Sequence, residues 1–183
     1  QALLYLDLDG FKRINDDNGH DAGDRVLRWV GEQLKECLRP YDVIARMGGD
    51  EFTALLDDLE YPEQAAKVAE KLIERIGMCQ HIDGLEIALG VSIGIATYPD
   101  SGSNLDTLMR AADIAMYAAK RAGRQQYRYY DQDDDTPVVS ALWWAGSARR
   151  STATTTGGTS RSNASAMLPR TPRRRSSSRW RCR

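Results

Sequence analysis

Two pairs of acids stand out in the first third of the chain. Asp7 and Asp9 close an apolar run, and Asp50 and Glu51 follow directly on Gly48-Gly49. Hard cations such as Mg²⁺ take oxygen ligands, commonly one or two carboxylates with substrate phosphates completing the shell. Two such ions in line can activate an attacking oxygen and stabilise a leaving one. If the two acid pairs meet, the chemistry they point to is phosphoryl or nucleotidyl transfer. Acids at strand ends are also ordinary solvated turn residues, and the residues alone leave both readings open.

Two further groups bear on the choice. Asn15, His20, Asp21 and Asp24 crowd a polar stretch after the first acid pair. An Asn amide and a carboxylate can together read guanine, the carboxylate accepting from the ring N–H and the amino group. Lys120 and Arg124 are four residues apart at the end of a helical stretch and share one side of it. They suit phosphate oxygens, Arg as a planar fork and Lys as a point charge. In that place they would equally complement a helix dipole.

The elements that must position these groups follow from periodicity. Ala2 to Asp7 reads as a buried strand, and Asp9 to Gly23 as a polar, Gly-containing loop. Val26, Leu27, Val30, Leu34, Cys37 and Leu38 recur at helical spacing until Pro40. Asp42 to Met47 and Glu51 to Asp57 are strand-like runs around Gly48-Gly49, a hairpin signal because both glycines can take positive φ. Pro62 opens a helix whose stripe is Ala65, Ala66, Val68, Ala69, Leu72, Ile73 and Ile76, with Gly77 as its stop. Ile87 to Tyr98 is β-rich, Leu105 to Ala122 is an Ala-rich helix ended by Gly123, and Tyr127 to Asp131 reads as a last strand. The order β-α-β-β-α-β-α-β predicts an α/β (α+β) domain, helices packed on a mainly antiparallel central sheet. Strand ends of one sheet can bring the two acid pairs together.

With 183 residues, 42% of them hydrophobic, the chain can build one core of ordinary size. Its net charge of −1 conceals a split: Thr136 to Arg183 holds ten Arg and no Lys, Asp or Glu, so the preceding part is strongly acidic. From Ser147 on, Ser, Thr, Arg, Gly and Pro dominate without apolar periodicity, which predicts disorder. The abrupt change in composition at residues 134–183 resembles an artefactual C-terminus, such as a shifted reading frame. A run such as Arg173-Arg174-Arg175 is the sole support for nucleic-acid binding, which ranks last. Cys37, Cys79 and Cys182 have neither metal-ligand spacing nor a disulfide framework. No membrane-spanning stretch and no signal peptide is expected, and the chain reads as cytoplasmic, starting inside a domain.

The chain resembles the GGDEF family of diguanylate cyclases. It carries Arg46-Met47-Gly48-Gly49-Asp50-Glu51-Phe52 literally. Asp7-Leu8-Asp9-Gly10-Phe11-Lys12-Arg13-Ile14-Asn15-Asp16 is similar to the family's D-x-D-x-F-K-x-x-N-D segment, and Gly19-His20-Asp21-Ala22-Gly23-Asp24 to the G-H-x-x-G-D that follows. Val91-Ser92-Ile93-Gly94-Ile95-Ala96 resembles a core strand, and Ala112 to Arg124 the last helix. The likeness covers about residues 1–133 and none of the tail.

That resemblance implies a palm-like nucleotide-cyclase fold and the condensation of two GTP into cyclic di-GMP and two pyrophosphates, with Mg²⁺ or Mn²⁺. Asp7, the Leu8 carbonyl and Asp50 would bind metal. Asp50 would also be the base for the ribose 3′-hydroxyl, with Glu51 the second catalytic acid. Asn15 and Asp24 would read guanine. The backbone of Gly10, Phe11 and Lys12, with Lys120 and Arg124, would hold the triphosphate. Gly48 and Gly49 would let the backbone pass close to the nucleotide. Arg39 and Asp42 form an R-x-x-D ahead of the signature, the family's product-inhibition site for cyclic di-GMP. A bare R-x-x-D is otherwise usually a surface ion pair. Catalysis would need a homodimer, one GTP per subunit. The family's D-x-L-T-x-L-x-N-R segment and the long helix ahead of the first strand precede the start of this chain, and Gln125 replaces the usual Asn after the G-R pair. The alternative is a fragment of a larger signalling protein that binds GTP or cyclic di-GMP without turnover, its parent carrying further domains that can anchor it to a membrane.

Overall fold

The computed structural model describes residues 1–77, 81–82 and 84–134. Cys79, Cys182 and the expected disordered tail from residue 135 onward lie outside them.

A five-stranded sheet forms the centre, in the order β2-β3-β1-β6-β7. Its middle strand β1 (Ala2–Asp9) is apolar at nearly every position because both faces are covered. Ala2, Leu4, Leu6 and Leu8 point to one face, Leu3 and Tyr5 to the other, and all are buried. The chain then enters α1 (Phe11–Asn18) and, after Gly19, α2 (His20–Cys37). This corrects the polar loop expected over Asp9 to Gly23. Phe11 and Ile14, one turn apart, are buried, and the polar residues around them are the solvated face of a helix.

The hairpin β2 (Val43–Gly48) and β3 (Glu51–Leu56) adds to β1 through antiparallel β3. The helix α3 (Glu63–Gly77) starts one residue after Pro62 and buries Ala65, Ala69, Leu72 and Ile76, as its stripe predicts. A small hairpin, β4 (His81–Ile82) with β5 (Leu85–Glu86), was not legible in the sequence. The strand β6 (Gly90–Thr97) runs antiparallel to β1, and β7 (Tyr127–Tyr129) lies parallel to β6. The sheet is therefore mainly antiparallel, as expected. A short 3₁₀ turn at Gln132–Asp134 follows.

The helix α4 (Leu105–Arg121) covers the face opposite α2 and α3. It begins with a capping box: Asn104 Oδ1 accepts from Thr107 N at 3.0 Å, and Thr107 Oγ1 accepts from Asn104 N at 3.2 Å. Its approach to the sheet is set by Gly94. A Cβ there would fall 1.9 Å from the Ala112 carbonyl oxygen and 2.2 Å from Met116 N, so only glycine lets helix and strand pack this closely. The position of α4 decides where Lys120 and Arg124 end up.

Candidate active site

The site lies where the C-terminal end of β1 meets the β2–β3 turn and the C-terminal end of α4. In the turn, Gly48 and Gly49 have φ of 153° and 55°, as the hairpin reading requires. Gly48 pairs with Glu51, leaving Gly49 and Asp50 at the tip. A feature the sequence reading missed holds the tip: Arg46 donates from Nε and Nη2 to the Gly49 carbonyl, at 3.1 and 2.9 Å. The strand is irregular between Arg46 and Gly48, which lets the guanidinium curl back on its own turn.

Of the first acid pair, Asp7 meets Asp50 and Glu51, whereas Asp9 turns to other partners. Asp7 stands directly opposite Glu51 across β1 and β3, and Leu8 N donates to the Asp50 carbonyl at 3.2 Å. Asp7 is 8% exposed. Burial pushes its pKa up to about 6. Lys120 opposes that shift, and the charges of Asp50 and Glu51 add to it. Lys120 Nζ lies 2.6 Å from Asp7 Oδ1. Among the described residues, no three acid, His or Cys side chains form a complete metal cage. A crowded, buried carboxylate with two more acids beside it still suits a hard cation that takes its remaining oxygens from substrate phosphates and water.

Gly10, in the left-handed region at φ 88°, turns the chain from β1 into α1. No side chain caps this end, so the first amides of α1, at Phe11 and Lys12, have no side-chain acceptor, an arrangement that suits an anion. Asn15 on α1 is drawn against α2 at Gly23, where a Cβ would fall 1.9 Å from Asn15 Oδ1. Asp24, the next residue, is exposed beside it.

The other flank is closed by a second acid of β1. Asp9 Oδ2 accepts from Ser92 Oγ at 2.8 Å and from Gln125 N at 3.2 Å, and Arg124 Nε lies 3.8 Å from Oδ1. Arg124 lies beyond α4, which ends at Arg121, so it does not share a helix face with Lys120 as their spacing suggested; Arg124 and Gln125 both have positive φ, 64° and 48°. Backbone of this kind costs about 1–2 kcal/mol per L-residue and needs support from its surroundings.

Arg39 and Asp42 stand apart from this cluster, before β2 and a strand's length from the Gly48-Gly49 turn. Asp42 accepts from Arg39 N at 2.8 Å and Asp57 N at 3.3 Å, while the Arg39 guanidinium donates to Tyr41 Oη at 3.0 Å. The R-x-x-D therefore forms an exposed, closed turn with the Arg resting over Tyr41.

Sequence and structure comparisons place the chain in a family. Residues 1–126 match the family described as "Diguanylate cyclase, GGDEF domain". Over 130 residues the chain is 46% identical to the bifunctional diguanylate cyclase/cyclic di-GMP phosphodiesterase MucR of Pseudomonas aeruginosa, covering 71% of this chain and 19% of MucR. It is 40% identical over 128 residues to the diguanylate cyclase TpbB of the same species, covering 69% of this chain and 29% of TpbB. It is 36% identical over 129 residues to that organism's cyclic di-GMP phosphodiesterase NbdA, covering 70% of this chain and 16% of NbdA. The chain thus spans less than a third of each of these relatives. Among solved structures, the TpbB GGDEF domain superposes with a TM-score of 0.69 at 39% identity, covering 73% of this chain and 78% of that one. The GGDEF domain of DgcB from Caulobacter crescentus, in complex with c-di-GMP, gives 0.63 at 30% identity, covering 70% and 77%. The fold and the site together define a GGDEF-type domain with the palm-like cyclase architecture. This chain belongs to the diguanylate cyclase GGDEF-domain family.

Proposed function

We propose that residues 1–133 form a diguanylate cyclase unit that condenses two GTP into cyclic di-GMP in a homodimer. The observation that carries this reading is the convergence of Asp7, Asp50 and Glu51 beneath Lys120, with the uncapped start of α1 alongside.

In this reading the backbone amides of Gly10, Phe11 and Lys12, with Lys120 and Arg124, bind the triphosphate, while Asn15 and Asp24 select guanine. The glycines of the β2–β3 turn keep side chains out of the nucleotide's path. Asp7, the Leu8 carbonyl and Asp50 are the ligands for Mg²⁺ or Mn²⁺, which when bound would neutralise phosphate charge and acidify the attacking hydroxyl. Asp50 accepts the proton of the ribose 3′-hydroxyl, with Glu51 as the neighbouring acid. The 3′-oxygen of one GTP bonds to the α-phosphorus of the other, and the bond to pyrophosphate breaks. The reciprocal attack forms the second phosphodiester and releases the second pyrophosphate. Positioning and charge neutralisation supply most of the acceleration. Arg39 and Asp42 take cyclic di-GMP as a product inhibitor.

Similarity to a protein named as a phosphodiesterase favours a second reading, in which the unit binds guanine nucleotide without turnover. Pyrophosphate release from GTP and Mg²⁺ separates the two. The cyclase reading requires release that rises faster than linearly with chain concentration, because each product needs two chains. Saturable GTP binding without release would mean the second reading.

A further inference from the structure

Asp9 has no role in the scheme above, yet its side chain is 8% exposed and its contacts reach β6 and the turn beyond α4. One oxygen, Oδ2, accepts from Ser92 Oγ on β6 and from Gln125 N beyond α4. The other, Oδ1, is buried without a hydrogen-bond partner and faces Arg124 Nε at 3.8 Å, beyond hydrogen-bond length but within strong electrostatic reach. A buried carboxylate is costly unless its surroundings compensate it.

The segment it holds is the one that aims Arg124. Past the end of α4, Gly123, Arg124 and Gln125 all have positive φ. Arg124 N still reaches back to the Ala119 carbonyl at 3.2 Å, and Gln126 O accepts from Ile93 N at 3.0 Å. Between those two anchors, Gln125 N is held by Asp9. Gly90, opposite Asp9 in the β1–β6 register, leaves room for the Gln125 side chain, since a Cβ there would fall 2.6 Å from Gln125 Cγ. The guanidinium approaches Asp9 through Nε, the nitrogen nearest the main chain, and the Arg124 side chain is 64% exposed. Most of the Arg124 side chain thus remains accessible.

We propose that Asp9 is a positioning residue for phosphate recognition: its buried carboxylate fixes the Gly123–Gln125 turn and the near end of Arg124, so that the guanidinium is already set when the triphosphate arrives. This rests on the nucleotide reading above. It predicts that Asp9 acts on the phosphates through Arg124, and not on the base.

The test is a double-mutant cycle on the full chain, measuring the affinity of GTP and of guanosine for wild type, Asp9→Ala, Arg124→Ala and the double variant. Each single change should weaken GTP about tenfold, as for one charge-assisted hydrogen bond. The double should be no weaker than the worse single, and guanosine affinity should stay level throughout. Asp9→Asn keeps an oxygen for Ser92 and Gln125 and should recover most GTP affinity. If Asp9→Ala does not fold, Asp9→Ser, too short to reach Gln125, replaces it in the same cycle. Additive losses, or equal losses for GTP and guanosine, would overturn the positioning role while leaving the nucleotide reading intact. A wild-type chain that binds neither ligand would overturn both.

Discussion

Lys120 Nζ lies 2.6 Å from Asp7 Oδ1, so without nucleotide the cation proposed for phosphate neutralises the acid proposed for metal. The pairing does not fully offset burial, because the Asp7 pKa still stands at about 6 against an ordinary 3.8. Between those values the folded chain holds a proton that the unfolded chain has lost, so this group's contribution to stability falls as pH rises from about 4 to 6. The ionised carboxylate then costs roughly 2–3 kcal/mol at pH 7. Asp7→Asn should therefore stabilise the metal-free chain by that order at pH 7, with the advantage gone by pH 4. Urea unfolding at the two pH values measures it.

Gly23 is predicted to matter for nucleotide affinity despite having no side chain. A methyl group there would meet Asn15 Oδ1. Gly23→Ala should turn the Asn15 amide away and weaken GTP binding about tenfold, the equivalent of one hydrogen bond to the base. Titration with GTP checks this, and an unchanged affinity would remove Asn15 from base recognition.

Gly94 should matter for stability. Gly94→Ala sets a Cβ against the α4 backbone at Ala112 and Met116, not against a movable side chain. Overpacking of this kind costs about 1–3 kcal/mol. Thermal unfolding should show a midpoint lower by several degrees. Because α4 carries Lys120, GTP affinity should fall with it.

Arg39→Ala should leave initial turnover intact and relieve inhibition by added cyclic di-GMP. Arg39 sits in a separate exposed turn, bonded to Tyr41 and not to the acid cluster. Initial rates over a range of product concentrations decide it, and unchanged inhibition would rule out this turn as the inhibitory site.

How much of this was legible depended on how local each signal was. The Gly48-Gly49 hairpin could be read because its turn chemistry lies in adjacent residues, and α3 and α4 because their stripes repeat over several turns. The helix α1 could not: Phe11 and Ile14 are the buried residues of an eight-residue segment, too few for a visible period, and the rest of it is solvated. The acids of the site could be listed from sequence, but their meeting depends on the β1–β3 register, which places Asp7 against Glu51. The contacts of Asp9 were hidden for the same reason, since Ser92 and Gln125 reach it only once β6 and the end of α4 are in place. Gly23 and Gly94 were visible as motif letters, but what each makes room for belongs to a different element, α1 and α4 respectively.

The most direct test of the central claim is to incubate the purified chain with GTP and Mg²⁺ and to identify the product by mass. The account predicts cyclic di-GMP, formed by the wild-type chain and abolished by Asp50→Ala. Product formed equally well by Asp50→Ala, or GTP left unconverted by a wild-type chain shown to be folded and dimeric, would contradict it.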